Sequence, residues 1–187
     1  MPRHRVAIIG LGMAVAPHAR SLIDLRVRVE VAAAFSPSRE RREAFSKAFP
    51  FPTCDSLDAI LDDPTIGSVL VLTPPSTHLD IVGRCAARSK NVLLEKPVET
   101  TTERAAALVA ACERAGVILG IVLQHRFRPA AEALAACMQD GRLGAIAGCS
   151  TTIRLWRSQG YYDEPGRGTI ARDGGGVLMT QGIHALD

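Results

Sequence analysis

The apolar residues of this chain fall into short continuous runs separated by stretches with helical spacing. The runs at 5–10 (RVAIIG), 27–35 (VRVEVAAAF), 68–73 (SVLVLT), 91–95 (NVLLE) and 117–123 (VILGIVL) are apolar almost throughout. A strand covered on both faces reads this way, whereas a strand with one wet face alternates. Helical patterns fill the gaps, roughly over 13–24, 38–48, 56–62, 76–89 and 101–115, the last bounded by a capping box Thr100-x-x-Glu103 and by Gly116. Strand and helix in repeated alternation predict an α/β fold, a doubly wound parallel sheet, over residues 1–123.

Beyond Leu123 the pattern changes. The stretch PAAEALAACMQDGRLG predicts a helix closing near Gly141, AIAGCSTTIRLW a long strand over 145–156, and RSQGYYDEPGRGTIARDGGG a loop, before GVLMTQGIHALD returns to helical spacing. One strand cannot make a sheet. Residues 124–187 are therefore expected to be the first part of a truncated domain, or one that borrows strands from a partner. The exposed apolar face of AIAGCSTTI would then favour association into a homo-oligomer.

Composition narrows the class. With 47% hydrophobic and 4% aromatic residues among 187, the core must be aliphatic. The net charge of +3 comes from scattered arginines rather than a dense basic block, which argues against a nucleic-acid partner. No apolar run approaches ~18 residues, and the N-terminal one ends at Gly10, so neither membrane insertion nor secretion is expected. The cysteines at 54, 85, 112, 137 and 149 form no C-x-x-C pair. They suit reduced, buried thiols in a cytoplasmic protein better than a disulfide frame or a metal site, and no metal is expected.

Candidate chemistry gathers at the predicted strand ends. Gly10 and Gly12, followed by Met13 and Ala14, sit between the first strand and a helix, where a dinucleotide pyrophosphate is held by free N–H groups; Val15 occupies the third small position of the G-x-G-x-x-G pattern. The next strand end carries Ser36, Ser38, Arg39, Arg41 and Arg42 and no acid, a set suited to a 2′-phosphate, so NADP is favoured over NAD; a solvated helix face of Arg–Glu pairs is the alternative. Thr73 and Pro74 end another strand, with His78 beyond as a cofactor-edge contact. Glu95, Lys96 and Pro97 end the following one. There an ammonium can face the crevice and handle a proton, or form a surface ion pair.

Taken together, GLG, TPPSTH, EKP, LQHRFRP and GGGVLMTQGIHALD, in this order, resemble the glucose-fructose oxidoreductase, inositol dehydrogenase and MocA family (Gfo/Idh/MocA) over essentially the whole chain. The resemblance implies an N-terminal Rossmann domain binding NAD(P) and an α+β open-sheet domain presenting a sugar, polyol or related small molecule. It implies catalytic roles for Lys96 and His184, and cofactor contacts at Gly10, Gly12, Thr73, Pro74, His78 and Glu95. Gln124, Arg126, Trp156, Arg157, Tyr161 and Tyr162, with His184, are expected on the substrate side. Two departures stand out: Thr180 replaces an acid one helical turn before His184, so that Thr180 or Asp187 would have to orient the imidazole, and the chain ends at Asp187, ahead of the open sheet's strands. The expected activity is NAD(P)-dependent oxidoreduction at a carbinol carbon. A dinucleotide sensor without turnover, or a Rossmann protein for another nucleotide, are the alternatives.

Overall fold

The computed structural model describes residues 2–187. Six parallel strands form one sheet in the order β3-β2-β1-β4-β5-β6. They are β1 (His4–Ile9), β2 (Val29–Phe35), β3 (Thr53–Cys54), β4 (Ser68–Val71), β5 (Asn91–Glu95) and β6 (Leu119–Val122). The connecting helices are α1 (Val15–Asp24), α2 (Arg39–Ala48), α3 (Leu57–Asp62), α4 (His78–Ala87) and α5 (Thr102–Ala115).

The continuous apolar runs are explained by cover on both faces. Along β1, Ala7 and Ile9 point to one side, where Val69, Val71, Val92 and Leu94 meet Val82, Cys85 and Ala86 of α4 and Leu108 and Cys112 of α5. Val6 and Ile8 point to the other, where Val31, Ala34, Leu70 and Leu72 meet Val15, Ala19 and Leu22 of α1 and Phe45 of α2. Each fully buried aliphatic side chain of this kind contributes about 1.5–3 kcal/mol of transfer free energy.

Three expectations need correction. The N-cap of α5 is Thr101, whose hydroxyl accepts from the Arg104 amide at 3.3 Å, not Thr100. Thr100 instead donates its amide and hydroxyl to the Glu99 carboxylate, at 2.6 and 2.9 Å. Residues 145–156 form no strand: the segment is exposed and has no ladder partner, and backbone groups cannot form a sheet edge alone. Conversely, the two-residue β3 has no counterpart in the apolar pattern.

Beyond β6 the chain forms a 3-10 turn (Gln124–Phe127) and α6 (Pro129–Gln139), followed by α7 (Gln159–Tyr162) and α8 (Ile170–Asp173). A π-helical turn (Leu178–Gly182) then runs directly into α9 (Ile183–Leu186). Residues 159–181 fold back over the carboxyl end of the sheet: α8 packs on the 3-10 turn Pro75–Thr77. No helix of the described residues is long and apolar enough to cross a membrane.

Candidate active site

Strand order reverses between β1 and β4, and the crevice at the carboxyl ends of those strands is where an open α/β sheet binds ligands. A cleft of about 780 Å³ opens there, bordered by Gly10–Ala14, Phe35–Ser38, Leu72–Pro75 and Glu95–Pro97. Its far wall carries Tyr161, Glu164, Arg167, Arg172, Asp173, Thr180 and Gln181. The volume lies within the ~300–1,000 Å³ of ligand pockets.

The two glycines fit a dinucleotide for different reasons. Gly10 has φ +104°, and a Cβ on it would stand 2.8–2.9 Å from the Leu72 carbonyl group and the Thr73 amide, so it lets β1 turn tightly against the end of β4. At Gly12 a Cβ would meet only an Arg41 guanidinium nitrogen, at 3.7 Å. No protein atom demands glycine there. The empty flank faces the cleft, which is what close approach of a pyrophosphate to the backbone requires.

On the β2 side, Ser36 is buried at the cleft wall, and Arg42 ties the loop by donating to the Ser36 and Pro37 carbonyls at 2.6 and 3.2 Å. Arg39 does not reach the cleft: it is exposed on α2 and pairs with Glu43 at 2.7 Å. The α2 side chains that do line the cleft are Glu40 and Arg41, and Arg41 donates to Glu164 at 3.3 Å.

His78 also departs from expectation. It is fully buried and absent from the cleft lining, with one ring nitrogen 2.9 Å from the Thr73 carbonyl and the other 3.1 Å from those of Pro97 and Val98. It therefore joins the β4 and β5 loops from behind the cleft wall. Beneath the second loop, Glu99 accepts from the Leu79 amide at 3.2 Å and from Arg104 at 2.8 Å. Burial pushes the Glu99 carboxyl up, but the hydrogen bonds from Arg104, Thr100 and Leu79 outweigh it and hold the pKa at about 2. A depressed carboxylate stabilises the fold above its unfolded value, near 4.5, and that stability is lost as pH falls toward 2. Glu99→Gln should therefore flatten the acid limb of the stability curve between about pH 5 and 2, removing roughly 2–3 kcal/mol of pH dependence in urea titrations.

Glu95 and Lys96 both face the cleft. Glu95 is held by His18 of α1 at 2.8 Å, a partner that the sequence pattern did not reveal, and by the Lys96 amide at 3.0 Å. The Lys96 ammonium donates to the Thr180 carbonyl at 2.8 Å. Burial lowers its pKa, the carboxylates of Glu95 and Asp173 oppose this, and the Arg167 charge adds to it.

The remaining expected residues divide. Tyr161 lines the main cleft and, with Arg157 and Tyr162, a neighbouring one of about 230 Å³. Arg157 lies over the Tyr161 ring at 5.5 Å and donates to Gln181 at 3.0 Å. Arg126 is engaged with Asp187 at 2.7 Å, while Gln124 and Trp156, the latter 82% exposed, are outside both clefts. His184 is also off the cleft wall, its ring stacked on His125 with centroids 4.3 Å apart. Neither expected partner orients it: the Thr180 hydroxyl donates to the Gly176 carbonyl at 3.1 Å, and Asp187 is taken by Arg126. Burial lowers the His184 pKa, reinforced by the charge of Lys96.

Known proteins with the same framework are numerous. The oxidoreductase family with an NAD-binding Rossmann fold, GFO_IDH_MocA, matches residues 4–123. The rhizopine catabolism protein MocA of Rhizobium meliloti is 28% identical over all of this chain and 56% of its own length. The D-xylose 1-dehydrogenase (NADP(+)) 2 of Haloferax volcanii is 31% identical over 84% of this chain and 47% of its own. The WlbA dehydrogenase from Bordetella pertussis, solved with NADH and UDP-GlcNAcA, superposes with a TM-score of 0.86 at 25% identity, over 99% of this chain and 57% of that one. The chain thus spans about half the length of the curated relatives it matches. With a parallel sheet reversing at β1 and β4, a glycine turn shaped for a pyrophosphate and a lysine at the end of β5, the chain belongs to the GFO_IDH_MocA oxidoreductase family.

Proposed function

We propose that the chain carries the dinucleotide site and the acid–base lysine of an NAD(P)-dependent oxidoreductase acting on a carbinol or carbonyl carbon of a sugar, polyol or related small molecule. The observation that carries this reading is the half-buried Lys96 ammonium, its pKa lowered by burial, in the same cleft as the Gly10–Gly12 turn. Gly10–Ala14 and the start of α1 would hold the pyrophosphate, Ser36, Ser38 and Arg41 the adenosine end, and Thr73, Pro74 and Glu95 the nicotinamide end. The nicotinamide supplies hydride chemistry when bound. Lys96 orients the reacting hydroxyl and stabilises the negative charge that develops on its oxygen, from a position where water is partly excluded. His184, whose pKa is lowered by burial and by the charge of Lys96, is the second proton carrier. Tyr161, which borders both clefts, and Arg157, which lies over its ring from the smaller one, meet the substrate.

No acid stands at the end of β2 itself, and although Glu40 of α2 borders the cleft, the Arg41 guanidinium beside Ser36 and Ser38 favours NADP over NAD. A 2′-phosphate on Arg41 is a charge-assisted contact. Arg41→Ala should therefore weaken NADPH binding roughly tenfold to a hundredfold and leave NADH nearly unchanged, read by nicotinamide fluorescence. Failure of the wild-type chain to bind either reduced cofactor would remove the whole reading; equal affinities would remove only the preference.

A further inference from the structure

Residues 2–123 and 124–187 are joined by a single ion pair among those of the described residues, Arg41 on α2 with Glu164, at 3.3 Å. Both side chains line the dinucleotide cleft. The carboxylate is shared unequally: Arg172 meets the same Glu164 oxygen at 3.2 Å, and Arg167 lies 3.7 Å from the other. Glu164 therefore keeps two cationic neighbours if Arg41 leaves. Arg41 has no second carboxylate within ion-pair distance among the described residues. The cost of breaking the contact thus falls on Arg41, and a phosphate arriving at that guanidinium replaces what it loses.

We infer that Glu164 is a cofactor-specificity residue: its carboxylate stands in for the 2′-phosphate on Arg41 and competes with it, so that NADPH must displace Glu164 whereas NADH need not. The inference rests on the dinucleotide reading of the cleft. Two effects act in the same direction. The carboxylate occupies Arg41, and its negative charge repels an incoming phosphate dianion across the same few ångströms. The pair is partly solvated, with Arg41 52% and Glu164 23% exposed in their side chains, which limits the size of the effect but not its sign. Displacement would also uncouple the loop carrying Glu164 from α2, so that only the cofactor with a 2′-phosphate breaks this ion pair between the two parts of the chain.

The test is a fluorescence titration of the full chain with NADPH and with NADH, for the wild type, Glu164→Gln, Arg41→Ala and the double variant. Glu164→Gln should tighten NADPH binding by roughly threefold to tenfold, the range expected for a partly exposed charge pair, with NADH unchanged. On the Arg41→Ala background the same substitution should have no effect, because the competed group is gone. An unchanged NADPH-to-NADH ratio in Glu164→Gln, or weaker NADPH binding, would overturn the inference while leaving the dinucleotide site intact. A gain that persists without Arg41 would overturn it too, and absence of binding by either cofactor would overturn both. Thermal unfolding of Glu164→Gln without ligand separates these results from a folding defect.

Discussion

Replacing Lys96 with Met should abolish turnover while leaving the nicotinamide cofactor bound. The ammonium reaches the Thr180 carbonyl from the end of β5 and faces the cleft, and burial already lowers its pKa, so the function proposed above assigns it a chemical task rather than one of holding the dinucleotide. Methionine fills a similar volume and removes only the charge and the donors. Loss of a group that both handles a proton and stabilises an oxyanion costs roughly a thousandfold or more in kcat. The check is the rate of cofactor reduction or oxidation in the complete enzyme, alongside NADPH affinity, which should stay within about threefold because cofactor contacts are spread along the cleft. Turnover that survives in Lys96→Met would remove the lysine from the mechanism. Loss of cofactor affinity with unchanged kcat would make it a binding residue.

Gly10→Ala is expected to have the largest effect on stability. The new methyl would lie 2.8–2.9 Å from main-chain atoms of Leu72 and Thr73, none of which belongs to a flexible side chain. The residue would also have to adopt φ +104°, which an L side chain rarely takes up. Backbone strain of ~1–3 kcal/mol and overpacking of similar size add to about 4 kcal/mol, with β1 and β4 forced apart where the cleft begins. Chemical denaturation should register that loss, and cofactor affinity should fall with it. Gly12→Ala provides the contrast: with only Arg41 at 3.7 Å, it should leave stability nearly unchanged and impair cofactor binding alone.

The parallel sheet was legible because strands covered on both faces are apolar at successive positions: β2, β4, β5 and β6 lie within the runs read from the sequence, and β1 begins one residue before its run. β3 was not, since two residues carry no period. The misread strand at 145–156 has suitable composition, but sheet formation depends on a partner the composition cannot supply. At the site, residues placed by main-chain geometry at strand ends were found: the glycine turn, Thr73, Pro74, Glu95 and Lys96 all border the cleft. Residues placed by helix rotation were not told apart, since Arg39, Arg41 and Arg42 were all candidates. Arg39 and Arg41 differ by two positions, which on a helix turns them to different faces, and only Arg41 reaches the cleft. Long-range pairs such as His18 with Glu95, 77 residues apart, have no local signal at all. His78 was read as a ligand contact because it follows a strand end; the carbonyls of two adjacent loops claim its ring instead.

The anchor of Lys96 is a peptide oxygen, not the side chain of Thr180. Any L-amino acid at that position supplies the same acceptor, so exchanging an acid for threonine removes charge near the amine without releasing it. What that tether does depend on is the path of the Leu178–Gly182 turn. The hold on the amine therefore survives a change of side chain at residue 180 but not an insertion or deletion that shifts the Leu178–Gly182 turn.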